Sequence, residues 1–114
     1  MGEQRKYMRF NVFMEAIGRT GDALKRFKVS NFSKEGVGIL SDESLNEGED
    51  VEVEMMIPGD NIPVVFEGRI AWTSDRDGDE PYKGGIRFKK ICSDDKTRIL
   101  EYIYHKWITP DRSK

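Results

Sequence analysis

Two arginines, Arg5 and Arg9, stand four residues apart in "QRKYMRF" (4–10), ahead of the first segment with strand periodicity. A guanidinium is a planar fork that binds oxyanions through two hydrogen bonds and stacks on flat rings. The same fork donates a pair of hydrogen bonds to the O6 and N7 edge of guanine. A second cluster follows in "VSNFSKEGVGIL" (29–40), where Asn31, Ser33 and Gly36 occur within six residues. These types build turns with directional polar groups, and the glycine permits a positive φ or a close approach of a ligand. Together, an arm with two arginines and a polar turn could clamp a small guanine-containing anion. The simpler alternatives are a solvated basic arm and a turn satisfied by its own backbone, and the residue types alone leave both readings open.

Other chemistry is sparse. His105 is the only histidine and falls near the end of a helical segment, where it suits the helix dipole or the surface better than general-base work. Cys92 is the only cysteine; it has no neighbouring histidine to activate it and no partner for an internal disulfide. No metal-ligand spacing occurs. The acidic stretch "SDRDGDE" lacks the ligand order and closing glutamate of a calcium loop, and no Walker pattern is present. Catalysis is therefore not expected, and neither a cofactor nor a bound metal.

The chain has 114 residues, 19 Lys+Arg against 21 Asp+Glu, and a net charge of −2. A protein that coats nucleic acid carries a clear basic excess, so DNA is not an expected partner and any anion site must be local. No apolar run is long enough to span a bilayer, and residues 1–9 lack the apolar stretch of a secretory signal. The expected location is cytoplasmic, without membrane insertion. The "NFS" acceptor pattern for glycosylation then has no consequence.

The elements that would hold the two clusters are short strands. Residues 10–17 place Phe10, Val12, Met14 and Ala16 on one face, with Phe13 and Ile17 on the other. A turn follows at 18–23, and "LKRFKV" (24–29) alternates imperfectly. "VGIL" (37–40) is short and strand-like. "DVEVEMMI" (50–57) alternates with Val51, Val53, Met55 and Ile57 inward. "VVFEGRIAW" (64–72) sets Phe66, Ile70 and Trp72 on one face, and "GIRF" (85–88) pairs Ile86 with Phe88. From Ser93, the expected N-cap, the period becomes helical, with Ile99, Leu100, Ile103 and Trp107 recurring until Pro110. Strands with turn signals followed by one amphipathic helix predict a small antiparallel barrel or sandwich with a helix packed on it, in one domain.

"RKYMR" and "NFSKEG", in that order and with a hairpin's length between them, resemble the R-x-x-x-R and [D/N]-x-S-x-x-G signature of PilZ domains, the bacterial receptor modules for cyclic di-GMP. "LNEGEDVEVEM", "FEGRIAW" and "GGIRF" extend the resemblance through the later strands and into the C-terminal helix. It implies an all-β fold with one helix: a six-stranded antiparallel β-barrel over 10–90, a flexible ligand-binding arm over 1–9 and the helix over 93–108. It assigns Arg5 and Arg9 to phosphates and guanine faces, Asn31 and Ser33 to guanine edges and phosphate, and Gly36 to the turn beneath them. Asn31 stands where aspartate is commoner, which removes charge assistance from one contact. Arg87 is either a further stacking or phosphate contact or a plain surface arginine. The implied function is a non-enzymatic, stand-alone adaptor that binds cyclic di-GMP and changes a surface offered to a protein partner. The alternatives are a barrel of the same fold that binds protein only, and a small barrel for RNA or single-stranded DNA.

Overall fold

In the computed structural model of the chain, residues 10–75 and 78–108 are described. The strands are β1 (Phe10–Thr20), β2 (Ala23–Phe32), β3 (Gly36–Ser41), β4 (Asp50–Met55), β5 (Val64–Ser74) and β6 (Tyr82–Ile91), followed by helix α1 (Ser93–Ile108). All pairings are antiparallel, and the order β1-β2-β3-β6-β5-β4 closes on itself through β1 and β4. Every strand thus has a neighbour on both sides, although β1 meets β4 only over 16–19 and β6 meets β3 only over 82–87. The fold is the six-stranded barrel with a C-terminal helix that the resemblance implied.

Alternation drives closure, because every second side chain can be buried only if the sheet curls over it. Val12, Met14 and Ala16 of β1, Phe27 and Val29 of β2, and Val51, Val53 and Met55 of β4 all point into one core. The helix adds Ile99 and Ile103 to the same core. It is tied down on two sides. Lys96 Nζ donates to the Lys34 carbonyl at 3.3 Å, and Arg98 reaches Asp60 at 2.9 Å and the Ile62 carbonyl. Asp94 and Asp95 lie in its first turn, where the dipole favours anions.

Several sequence expectations change. Cys92, not Ser93, is the cap residue, since its carbonyl accepts from the amides of Asp95 and Lys96. The 18–23 turn contracts to Gly21 and Asp22, with Gly21 at φ 59, because β1 pairs with β2 as far as Thr20 and Ala23. Leu24 and Leu100 are exposed. Phe66 and Ile70 are buried as expected, but Trp72 is not: the β5–β6 register slips between Ile70 and Trp72, and one extra residue on β5 turns the indole outward. The side chains of Phe10 and Trp107, and Pro110, lie outside the described part.

Candidate ligand-binding site

The site is built by a row of cross-strand partners on the outside of the barrel. Asn31 of β2 pairs with Gly38 of β3, Gly38 with Gly85 of β6, and Gly85 with Trp72 of β5. The two middle positions carry no side chain, and the flanking ones lean across them. A Cβ on Gly38 would lie 2.5 Å from Asn31 Nδ2, and one on Gly85 would lie 2.1 Å from Trp72 Nε1. Both distances are below contact, so only glycine leaves room for the amide and the indole to lie down on the sheet. Trp72 is 46% exposed. The result is a flat patch with a π face and an amide, a surface suited to a planar heterocycle.

Bulges make this arrangement possible. The slip in β5 brings Trp72 out, and a second one, between Val29 and Asn31, leaves Ser30 unpaired in β2. Ser30 Oγ fills the gap by donating to the Gly38 carbonyl at 3.3 Å and accepting from Asn31 Nδ2 at 3.4 Å. The Asn31 amide is thus oriented from beneath.

The turn that follows closes one end of the patch. Ser33 is buried, and its amide donates to the Gly36 carbonyl at 2.9 Å. Its hydroxyl donates to the same carbonyl and accepts from the Glu35 amide, each at 3.4 Å. Gly36 does not adopt a positive φ; among described residues that conformation belongs to Gly21, Gly48, Gly59 and Gly78. What requires glycine at 36 is proximity, since a Cβ there would lie 2.0 Å from the Ile86 carbonyl oxygen. The turn is clamped to β6 again where the Phe88 amide donates to the Glu35 carbonyl at 2.9 Å. Arg87, opposite Gly36, is exposed and stands 3.8 Å from the Glu35 carboxylate. Glu35, Gly36, Trp72, Gly85 and Arg87 line one shallow cleft of about 90 Å³.

The structure therefore gathers Asn31, Ser33, Gly36 and Arg87 on the β2–β3–β6 face. Arg5 and Arg9 lie outside the described residues. Phe10, the first one described, pairs with Phe32, next to the Ser33 turn. Trp72, Gly38 and Gly85 escaped the sequence reading. The available signals were a glycine pair at 84–85 inside a strand and a second glycine two residues after Gly36. Among described residues, no group of His, Cys, Asp and Glu could hold a metal ion, and no helix is long and apolar enough to cross a membrane.

A family model described as the PilZ domain matches residues 3–105. No curated protein matches the sequence. Among solved structures, the PilZ domain of Escherichia coli YcgR with c-di-GMP superimposes with a TM-score of 0.75 at 18% identity, covering 98% of this chain and 99% of that one. The Bacillus subtilis inhibitor of motility MotI/DgrA gives 0.76 at 17% identity, over 95% of this chain and 53% of that one. Borreliella burgdorferi PlzA in complex with c-di-GMP gives 0.62 at 17% identity, over 88% of this chain and 41% of that one. This chain thus spans about half or less of the two longer proteins. At these identities the structural likeness shows the fold.

Proposed function

The chain belongs to the PilZ domain family, and on that premise we propose that it is a non-enzymatic receptor for cyclic di-GMP. The observation that carries this reading is the Asn31–Gly38–Gly85–Trp72 row, a flat patch formed by an amide and an indole lying over two glycines, beside the N-x-S-x-x-G turn. The complexes of YcgR and PlzA with c-di-GMP support the choice of ligand.

In this reading a guanine base stacks on the Trp72 indole, and the Asn31 amide accepts from a guanine N–H. Arg5 and Arg9 hold phosphates and a second guanine face, while Arg87 adds a phosphate contact at the mouth of the cleft. Ser33 and Gly36 act by position: the hydroxyl holds the turn, and the glycine lets the turn sit against β6. A dinucleotide carrying two negative charges would draw the arginine segment over the patch and alter both shape and charge there. That change is what a protein partner would read.

Isothermal titration calorimetry with cyclic di-GMP tests the proposal, with Arg9→Ala titrated alongside. The wild type should bind saturably, and the variant should lose about 2–3 kcal/mol, roughly 30- to 150-fold in affinity, as a charged hydrogen-bonding group is removed. A folded wild type that gives no heat overturns the receptor reading and leaves a protein-only module. Binding of single-stranded DNA or RNA with a steep salt dependence and no preference for the guanine dinucleotide would favour the nucleic-acid barrel instead.

A further inference from the structure

A second concavity, lined mostly by basic residues, adjoins the patch. It has a volume of about 540 Å³ and is walled by Lys34, Arg87, Lys90, Lys96 and Lys89, the last also 3.3 Å from the Asp50 carboxylate, with Glu35 the only acidic residue among the described residues of its lining. On a chain of net charge −2 this is a local inversion of sign. A bulge creates it: the β5–β6 register slips so that Gly68 pairs with Phe88 but Glu67 with Lys90, and Lys89 is left as the extra residue. Consecutive lysines that a regular strand would send to opposite faces are both exposed. The floor is apolar, formed by half-buried Phe88 and Ile91. The Lys96 ammonium sits 5.4 Å from the Phe88 ring centroid and donates to the Lys34 carbonyl, which fixes that wall.

We propose that this cleft docks an acidic, extended segment of a partner protein, with carboxylates on the lysine walls and an apolar side chain on Phe88 and Ile91. Charge complementarity selects an acidic occupant. The concave shape and apolar floor select a peptide over a bilayer surface, which needs cations displayed together on an open face. β6 runs on to Ile91 beyond Arg87, its last partner on β3, so the cleft lies along a stretch of β6 with no paired β3 residue, and the lysine and apolar side chains of that stretch supply the recognition. The cleft also has a built-in link to the neighbouring patch, because Glu35 and Arg87 line both. If the cyclic di-GMP reading holds, a phosphate that draws Arg87 from Glu35 leaves that carboxylate uncompensated at the cleft, so the nucleotide weakens the acidic segment and the segment weakens the nucleotide equally.

The test is fluorescence anisotropy of a labelled octapeptide, EDLEDLED, with the full chain and no nucleotide. Saturable, salt-sensitive binding is expected, reduced about fivefold by Lys90→Glu and about tenfold or more by the Lys89→Glu/Lys90→Glu pair, with Lys90→Gln between wild type and Lys90→Glu. Circular dichroism and calorimetry with cyclic di-GMP check that the variants are folded and leave nucleotide affinity within about twofold. No saturable binding, or binding indifferent to charge reversal, overturns the docking site. So does lysine-dependent binding to vesicles containing phosphatidylserine in place of the peptide. Repeating the titration at saturating cyclic di-GMP should raise the peptide's Kd several-fold. An unchanged Kd, with nucleotide binding shown separately by calorimetry, overturns the coupling alone. Absent nucleotide binding defeats the receptor reading without touching the docking site.

Discussion

Across the seam of β3 and β6, Gly38 faces Gly85, and the outer surface there is made by Asn31 and Trp72 leaning in from the neighbouring strands. Across the seam of β1 and β4, Ile17 faces Glu54 and Arg19 faces Glu52, with exposed Leu24 and Val65 alongside. Both seams close over the same buried hydrophobic core. The inner faces must pack at uniform density, so they resemble one another. The outer faces answer to solvent and are free to diverge. Removing two Cβ atoms from one of them lets an amide and an indole lie flat on the sheet without disturbing the hydrogen-bond ladder. The β1–β4 seam, with a full side chain at each of those positions, offers amphipathic relief but no comparable flat floor.

The sharpest way to break the contrast is at Gly36, whose role is structural. Its absent Cβ would meet a backbone carbonyl, which cannot swing aside. Gly36→Ala should cost about 3 kcal/mol, read as a fall in Tm of roughly 10 °C, as β3 is pushed from β6. A Tm within a degree or two of wild type would show that the seam can open at little cost.

Trp72→Ala is the next in size and acts on binding instead. Loss of a stacked base should weaken cyclic di-GMP by about 1–3 kcal/mol, roughly 5- to 150-fold, with little change in Tm. Gly85→Ala should produce a smaller loss, because the indole it displaces is a side chain that can move. Ile17→Ala, on the other seam, serves as the reference and should leave the titration unchanged. Equal effects from Ile17 and Trp72 would erase the distinction between the faces.

The smallest effect is pH dependence, and it belongs to the β4–β5 side. Asp60 is held below the usual value near 3.8 by the Arg98 guanidinium and then by the Ile62 amide. Asp50 is lowered likewise, first by Arg69 and then by Lys89. A carboxylate with a depressed folded-state pKa stabilises the protein above its unfolded value and loses that contribution as pH falls through the folded one. Thermal stability attributable to these pairs should therefore be flat from neutrality to about pH 4 and decline below it. Arg98→Met should flatten the acid decline, and an unchanged profile in that variant would assign it to other carboxylates.

Much of the barrel was legible because burial repeats locally. Val51, Val53, Met55 and Ile57 alternate without interruption, and all are buried. Ile99 and Ile103 recur at helical spacing and enter the core. The turn motif was legible too, as a set of residue types close in sequence. Its internal hydrogen bonds were not: the Ser33 hydroxyl is engaged with the Gly36 carbonyl and the Glu35 amide.

What the sequence by itself determined is the inside and outside of each regular strand, the helix and the order of the motifs, since these depend on residues within one or two turns of one another. Only the tertiary structure decided that residues 31, 38, 72 and 85 form one row, that Gly36 is needed against the Ile86 carbonyl, and that Trp72 and the pair Lys89 and Lys90 face outward. Each of these rests on long-range register and on bulges. A bulge inserts one residue and reverses every face after it, and no local pattern of residue types announces where the partner strand will allow it.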